Sequence, residues 1–376
     1  MSASTFSRLY TGEGGIDFVG RSKLWYRITA GVLAASILLI IFRGFSLGID
    51  FEGGTKMNMP DADYSIEKVE DVFTSATGVT PELVQVVGAG DSRMVEINAE
   101  RLSDEQIDAA RVALFNEFQP KDQTGEASPD AVGDSTVSES WGSTITNRML
   151  LSMLAFLGLT FIYIAIRFER DMSIAAITAL LVDIVVISGI YSLVGFEVTP
   201  ATVIGLLTVL SFSLYDTVVV FDKVRENTAG FEASRRRTYA EQANLAVNQT
   251  VMRSISTTII SALPIIALMV VAVWMMGVGT LKDLALVQLI GVIEGALSSV
   301  FLATPILVSL KRRNKKIQEH EQLVRDYRAG KLDDGPEASS EAEAKPVRRT
   351  VAPITAEAQE EFLDTRGDGK SWRPGQ

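Results

Sequence analysis

Three carboxylic acids interrupt long apolar stretches of this 376-residue chain: Asp183, Asp216 and Glu294. Insertion scales put the cost of one such group at the centre of a bilayer at about 2.5 to 3.5 kcal/mol, so each is a candidate functional group. A buried carboxyl can instead bridge neighbouring helices and have only a structural role. We favour the structural role for Glu294 and a functional role for Asp216, and both roles remain open for Asp183.

Small and hydroxyl-bearing residues surround Asp216 at helical spacings. Ser213, Gly205 and Thr202 lie near its helix face, and the fifth apolar stretch opens with Arg253, followed by Ser254, Thr257, Thr258 and Ser261. Faces of this kind allow helices to pack closely. Adjacent antiparallel helices would bring Asp216 and Arg253 to a similar depth, so we predict that the two side chains pair. The alternative role for Arg253 is an ordinary basic flank of a membrane helix.

The composition excludes several other chemistries. The chain has no cysteine, which excludes disulfides, thiol chemistry and Cys-ligated metal. Its only histidine, His320, lies in the polar C-terminal part, which excludes His-ligated metal and His proton relays from the apolar stretches. We therefore expect no metal and no cofactor, and any proton transfer within the apolar stretches must use carboxylates.

The elements that position these groups are six apolar runs in a chain with a mean hydropathy of +0.22. Because roughly 20 helical residues span the hydrocarbon core, the runs predict a polytopic α-helical membrane protein with six transmembrane helices. Six buried core helices of a soluble protein would leave too little polar face to cover them. The predicted helices span residues 24–43, 149–166, 173–194, 199–221, 254–276 and 284–310.

Basic residues predict the orientation of these helices. Lysines and arginines are concentrated before the first run, in the 222–253 segment and just after residue 310, which places these parts in the cytoplasm. Residues 1–23 then form a cytoplasmic N-terminus and residues 44–147 an extracytoplasmic domain. Residues 148–310 hold helices two to six. The polar stretch 311–376 is predicted to be a disordered cytoplasmic tail.

The 44–147 segment predicts a small α+β domain. Alternating apolar residues at 45–51 indicate a strand, and the face formed by Ile66, Val69 and Phe73 indicates a helix. Strands are predicted at 83–88 and 93–98, a helix follows from the Ser103 to Gln106 capping box, and a last strand is expected near 136–145. This order is typical of a ferredoxin-like sandwich. The segment has 6 basic and 20 acidic residues, a net charge of −14, so we expect no nucleic-acid binding.

Three motifs resemble those of a known family. Gly48–Thr55 reads GIDFEGGT, Tyr215–Asn227 reads YDTVVVFDKVREN and Asn248–Thr258 reads NQTVMRSISTT. They are similar to the GIDF-x-GGT, DTVVVFDRIRE and NQTLxRT-x-x-T patterns of the SecD/SecF family of protein-export membrane subunits, the second being typical of its SecF members. The resemblance covers about residues 20–315. The motif residues are Gly48, Ile49, Asp50, Phe51, Gly53, Gly54, Thr55, Tyr215, Thr217, Asp222, Arg225, Glu226, Thr257 and Thr258.

This resemblance implies both a fold and a function. The fold would be one half of an RND-like membrane assembly in the bacterial cytoplasmic membrane. The implied partners are SecD, the SecYEG channel, exported polypeptides and membrane lipid, with SecA and YajC as further candidates, and the implied activity couples the proton-motive force to late steps of protein export. Asp216 and Arg253 match family positions linked to proton conduction. Val182 stands where members often carry His, which weakens a relay role for its neighbour Asp183.

Three alternative functions can be compared with the same sequence features. An RND-type small-molecule transporter subunit would fit the helices, although drug exporters usually carry much larger outer domains. A passive scaffold for the channel is compatible with a buried ion pair that only holds helices together. An intramembrane aspartyl protease is suggested by the Tyr215–Asp216 pair, but the GxGD partner motif is missing, since its nearest approximation at residues 277–280 reads GVGT.

The predicted orientation can be tested with single introduced cysteines, because the chain has none of its own. Cysteine in place of Glu126 or Gly195 should react with a membrane-impermeant thiol reagent in intact spheroplasts, and cysteine in place of Arg236 should react only after lysis. The opposite labelling pattern would overturn the orientation inferred from the basic segments.

Overall fold

The computed structural model describes residues 15–121, 125–233, 235–276 and 279–331. The described residues up to Val324 form one compact unit, and those from Arg325 onward belong to a second. Among the described residues, the helices in chain order are α1 Ser22–Arg43, α2 Ile49–Glu52, α3 Ile66–Thr77, α4 Asp104–Phe118, α5 Glu139–Arg167, α6 Arg170–Val194, α7 Pro200–Thr228, α8 Tyr239–Leu268, α9 Gly279–Ser298, α10 Thr304–Lys311 and α11 Lys315–Arg328. The strands are β1 Ser46–Leu47, β2 Gly54–Pro60, β3 Leu83–Val87, β4 Met94–Ala99, β5 Gly133–Val137 and β6 Glu197–Val198.

Six helices in the described part of the chain, α1 and α5 to α9, are long and apolar enough to cross a membrane. A π-helical turn at Met269–Met275 extends α8, and a second at Ser299–Ala303 joins α9 to α10. Large apolar side chains on α1 and α5 point outward, with Phe42 84% and Ile166 83% exposed, as expected for surfaces that face lipid. The prediction of a polytopic α-helical membrane protein is confirmed.

Two of these helices begin ten or more residues earlier than hydropathy predicts. Helix α5 starts at Glu139 instead of 149, because Ser138 caps it by accepting a hydrogen bond from the Trp141 N–H. Helix α8 starts at Tyr239 instead of 254, behind a capping box formed by Thr238 and Glu241. Both extensions are polar helical ends that lie beyond the apolar run, so a hydropathy threshold does not detect them.

The folded domain between α1 and α5 has the βαββαβ order of a ferredoxin-like sandwich. Its four strands lie in the order β3–β4–β2–β5, every neighbouring pair antiparallel. The predicted capping box at Ser103 and Gln106 is present at the start of α4. The first strand is displaced from the predicted position: residues 49–52 form a helical turn and the strand runs over Gly54–Pro60. The last strand ends at Val137, where α5 is about to begin.

The folded domain contacts the membrane helices and the loops between them at several points. Strand β1 pairs in parallel with β6, in the α6–α7 loop, and the Gly48 N–H donates to the Val198 carbonyl at 2.9 Å. Asn98 Nδ2 donates to Glu197 Oε2 at 3.1 Å, and Lys282 Nζ at the start of α9 donates to Gln85 Oε1 at 2.7 Å. Burial raises the pKa of Glu197, and the charge of nearby Lys56 opposes that shift.

Helices α7 and α9 run parallel and meet along a seam of small residues. A Cβ on Gly205 would lie 2.4 Å from Val287 Cγ1, and one on Gly291 would lie 2.4 Å from Val209 Cγ2. One turn further, a Cβ on Gly295 would lie 2.7 Å from the Cβ of Ser213. The seam is formed by residues 205, 209, 213 and 216 of α7, by 287, 291 and 295 of α9, and by 299 of the π-helical turn that follows α9. It therefore leaves no room for larger side chains.

The opposite end of the bundle is ordered by two further contacts. Asn244 and Asn248 of α8 hold the segment before α1, since Asn248 accepts from the Ile16 N–H at 3.0 Å and Asn244 accepts from the Phe18 N–H at 2.8 Å. Beyond α10, helix α11 is present where a disordered tail was predicted from residue 311. Its buried Ile317, His320 and Val324 share one helix face, a periodicity that the average composition conceals. Residues 332–376 of the predicted tail lie outside the described residues.

We expect Gly53 and Gly54 to be required for folding. Gly53 has φ +85° and Gly54 has φ +143°, and a Cβ on Gly54 would lie 2.7 Å from the Ala99 carbonyl oxygen. Replacing both by valine should sharply lower the steady-state level of the protein. Gly78→Val is the matched control, because Gly78 has φ +74° but open space around it, so it carries only the backbone strain. Equal levels in the two variants would refute the claim.

A second prediction concerns the seam. Gly295→Val should push α7 from α9 and lower the midpoint of thermal unfolding in detergent, by the equivalent of about 1 to 3 kcal/mol for overpacking. Gly158→Val on α5 is the control, since a Cβ there meets nothing within 4 Å. An unchanged midpoint for Gly295→Val would show that the seam is not close-packed.

Candidate proton-coupling site

Asp216 is enclosed by three helices. It lies on α7 and is 9% exposed. The Ser254 hydroxyl of α8 donates to Asp216 Oδ1 at 2.7 Å, and the hydroxyl of Ser299, in the π-helical turn after α9, donates to Asp216 Oδ2. Each carboxyl oxygen thus has one hydroxyl partner, contributed by a different helix, so the charge state of Asp216 bears on how three helices pack.

Arg253 does not pair with Asp216 in this structure, contrary to the predicted contact. Its Nη2 donates to the Tyr215 hydroxyl at 3.3 Å, and Tyr215 is 51% exposed. Successive residues of a helix point about 100° apart. The buried neighbours Asp216 and Ser254 therefore face each other, while the exposed neighbours Tyr215 and Arg253 meet at the edge of the same helix pair.

Hydroxyl partners suit a carboxyl that gains and loses a proton. A serine hydroxyl can donate to an ionised carboxylate or accept from a protonated carboxyl, so neither state leaves a buried atom without a partner. Ser299 has a second acceptor ready, because its Oγ lies 3.1 Å from the Ala296 carbonyl oxygen. The arrangement can therefore hold Asp216 in either protonation state with only small rotations of the hydroxyl groups.

The helix that carries Ser299 is irregular at this residue. The π-helical turn spans Ser299–Ala303, and Pro305 follows within the first turn of α10. Single π-helical turns inside α-helices are frequent at functional sites, because they shift the register of the side chains that follow. The donor to Asp216 Oδ2 thus lies at the first residue of the irregular turn in the sixth membrane span.

The other two membrane carboxyls form a separate cluster with each other. Asp183 on α6 is 1% exposed and accepts a hydrogen bond from the Ser213 hydroxyl at 2.5 Å. Glu294 on α9 contacts the Asp183 carboxyl. Glu294, for which a structural role bridging neighbouring helices was favoured from the sequence, thus meets Asp183 across the contact of α6 with α9. The two aspartates, by contrast, belong to different clusters, which does not favour an aspartyl protease.

The remaining residues of the Tyr215–Asn227 motif lie at the far end of α7. Asp222 binds Arg167 of α5, with Nη2 to oxygen distances of 3.0 and 2.7 Å, and lies 3.2 Å from Arg225. Glu226 pairs with Lys223 at 2.8 Å. Thr217, beside Asp216, is 3% exposed. The pair between Asp222 and Arg167 joins α5 to α7, whereas the pairs with Arg225 and Lys223 lie within α7.

The threonines of α8 bond to their own helix. Thr257 donates to the Arg253 carbonyl and Thr258 to the Ser254 carbonyl, each at 2.8 Å. Thr202, predicted near the face of Asp216, instead caps the start of α7 together with Thr199, and Gly205 belongs to the seam. None of these groups contacts the Asp216 carboxyl.

The Gly48–Thr55 motif shapes the junction with the folded domain. Its Ile49–Glu52 turn, which includes Asp50, brings the Phe51 carbonyl against α5, where a Cβ on Gly142 would lie 2.5 Å from the Phe51 oxygen. The Thr55 hydroxyl accepts from the Leu102 N–H at 3.0 Å. The motif thus fixes how the chain enters the domain and is separate from the Asp216 cluster.

Ser299 was not identified from sequence as part of the site. The available signal was the spacing of Gly291, Gly295 and Ser299, each four residues apart in the sixth apolar run. Among the residues that the structure describes, no group of three or more His, Asp or Glu side chains could hold a metal ion.

Comparison with known proteins agrees with this architecture. Residues 119–313 match the family described as protein export membrane protein SecD/SecF, C-terminal, and residues 38–60 match the SecD/SecF GG motif. The chain is 50% identical to protein translocase subunit SecF of Mycobacterium tuberculosis, over 98% of this chain and 84% of that one. It is 37% identical to the SecF subunit of Streptomyces coelicolor, over 90% and 88% of the two chains.

A solved structure shares the fold. The crystal structure of SecDF from Thermus thermophilus, described as a translocon-associated membrane protein, superposes with a TM-score of 0.67 at 27% identity. The match covers 79% of this chain and 39% of the SecDF chain. From the family matches and these identities, the chain belongs to the SecD/SecF family of protein-export membrane proteins.

Proposed function

We propose that this protein is an accessory subunit of the Sec protein translocase that couples the proton-motive force to late steps of protein export. It is a transport subunit of the bacterial cytoplasmic membrane, with its N- and C-termini in the cytoplasm and its ferredoxin-like domain outside. The observation that carries the proposal is Asp216, a titratable group buried where α7, α8 and the α9 span meet and held there by two serine hydroxyls.

Protonation of Asp216 is the step that would use the proton gradient. A carboxylate buried among helices is costly, so adding or removing one proton shifts the balance between two helix packings by several kcal/mol. Arg253 lies next to Ser254 on α8, and a rotation of that helix would exchange its contact with Tyr215 for one with Asp216. The guanidinium would then stabilise the ionised carboxylate. A membrane potential adds about 2.3 kcal/mol per charge per 100 mV, which gives the cycle a direction.

The contacts between the folded domain and the membrane helices would transmit such a change in helix packing to the folded domain. The three helices around Asp216 are connected to the points where the folded domain is attached. Helix α7 begins just after β6, α9 carries Lys282 near its start, and the π-helical turn that extends α8 ends beside the domain. There the Ala89 N–H donates to the Trp274 carbonyl at 2.9 Å. A change in the packing of the three helices would therefore be transmitted to the outer domain, where an emerging polypeptide could be held or released.

A SecD-type chain is the first partner that we propose. This chain matches 39% of the length of the Thermus SecDF polypeptide, which supports the existence of a complementary half. SecYEG is proposed as the channel with which the pair associates, with SecA and YajC as further candidates and exported polypeptides as the cargo. A small-molecule transporter is less well supported, because the outer domain is a single four-stranded sandwich.

We expect Asp216→Asn to abolish the stimulation of export by a proton gradient while leaving the protein level and association with SecD intact. The amide nearly preserves the shape of the side chain but removes its titration. The measurement is translocation of a signal-peptide-bearing protein into inverted membrane vesicles, with and without an imposed gradient.

Asp171→Asn is the matched control, an Asp-to-Asn change at the cytoplasmic start of α6, 3.7 Å from Lys311 and remote from the cluster. It should retain the response to the gradient. A normal response in Asp216→Asn at equal expression would favour the passive scaffold instead.

A further inference from the structure

The carboxyls of Asp183 and Glu294 form a polar cluster that the proposed function does not use. They contact each other between α6 and α9, and Ser213 of α7 donates to Asp183 Oδ2. Ser298, one turn after Glu294, is 6% exposed and lies beside the Asp183 carboxyl without completing a hydrogen bond of ordinary geometry. Three helices thus enclose two acids and two hydroxyls.

The hydrogen bonds of this cluster are incomplete if both acids are ionised. Asp183 Oδ1, Glu294 Oε2 and Ser298 Oγ are buried atoms without a hydrogen-bond partner. Carboxylate oxygens only accept hydrogen bonds, so two ionised carboxyls in contact cannot satisfy each other. A proton on either one supplies the missing donor and links the two groups.

No positive charge balances the pair within the described residues. Neither acid forms an ion pair with a lysine or arginine there. On the neighbouring elements the other groups that could affect it are Asp216, one turn further along α7, and Arg253 of α8, which contacts Tyr215. Two like charges in an apolar interior repel strongly, and a site built from two carboxyls therefore retains one proton between them.

We propose that Asp183 and Glu294 share a single proton and form a second proton-holding site, on the folded-domain side of Asp216. Ser213 precedes Asp216 by three residues and Glu294 precedes Ser299 by five, which correspond to about 4.5 and 7.5 Å along the parallel helices α7 and α9. Both helices start beside the folded domain. The role of the pair in export rests on the proposed function: a proton that enters from the outer side meets this pair before it reaches Asp216.

The shared proton can be detected in the purified full-length chain in lipid nanodiscs. Infrared difference spectroscopy reports the C=O stretch of a protonated carboxyl, which a carboxylate lacks. At neutral pH we expect one such band that is lost in Asp183→Asn and equally in Glu294→Gln. In either variant the new amide donates to the remaining carboxylate, and the like charge is gone. Asp216→Asn is the control and should leave this band in place.

Three results would overturn the proposal: no such band in the wild type, a band that persists in either single variant, or a band that disappears when sodium replaces choline in the buffer. The last would make the cluster a site for a metal cation. If Asp183→Asn does not fold, Glu294→Gln decides alone, because its position is the less buried of the two. The infrared result stands whether or not Asp216→Asn affects export, so failure of the proposed function can be told apart from failure of this inference.

Discussion

The close contact between α7 and α9 is the constraint on which the rest of the structure depends. Inside a membrane the hydrophobic effect does not drive helices together, so association relies on van der Waals packing and interhelical hydrogen bonds. Gly291 and Gly295 permit that packing because Val209 and Ser213 occupy the space where their side chains would be. The same contact places Ser299 against Asp216. Both helices begin beside contacts with the folded domain, through β6 before α7 and through Lys282 of α9.

Polar groups along this contact are arranged in two layers rather than as one network. Asp183, Ser213 and Glu294 form the layer nearer the folded domain, and Asp216 with Ser254 and Ser299 forms the next. Buried polar groups destabilise a fold unless they are hydrogen-bonded, and serine can serve as donor or acceptor. The serines thus give the acids of each layer hydroxyl partners that can donate or accept a hydrogen bond. The basic residues of the seam region stay at its edge, where Arg253 meets Tyr215.

Sequence reasoning succeeded where one residue's own environment determines the outcome. The burial of Asp216 among helices could be predicted because it lies within an apolar run, where a charge is costly wherever the helix packs, and the Ser103 cap could be predicted because it is local. Sequence reasoning failed where the outcome depends on how distant helices or strands align with each other. Arg253 was expected at Asp216 from depth alone, but depth does not specify which way neighbouring side chains point. The contact of Glu294 with Asp183 depends on how α6 and α9 align. The strand expected at 45–51 is not formed over its whole length. Its alternating residues lie partly in the short strand β1 and partly in the helical turn that begins at Ile49.

The pairing of β1 with β6 has a consequence for the order of biosynthesis. Ser46 and Leu47 bond to Glu197 and Val198, roughly 150 residues later in the chain, and the segment between them includes the whole ferredoxin-like sandwich and two membrane spans. All four strands of the sandwich leave the ribosome before β6 exists, and domains generally fold as units during synthesis. The ferredoxin-like domain can therefore complete its sheet before β6, the strand that pairs with β1, has been synthesised. The nascent protein passes through a stage in which this domain is tethered only by α1 and α5.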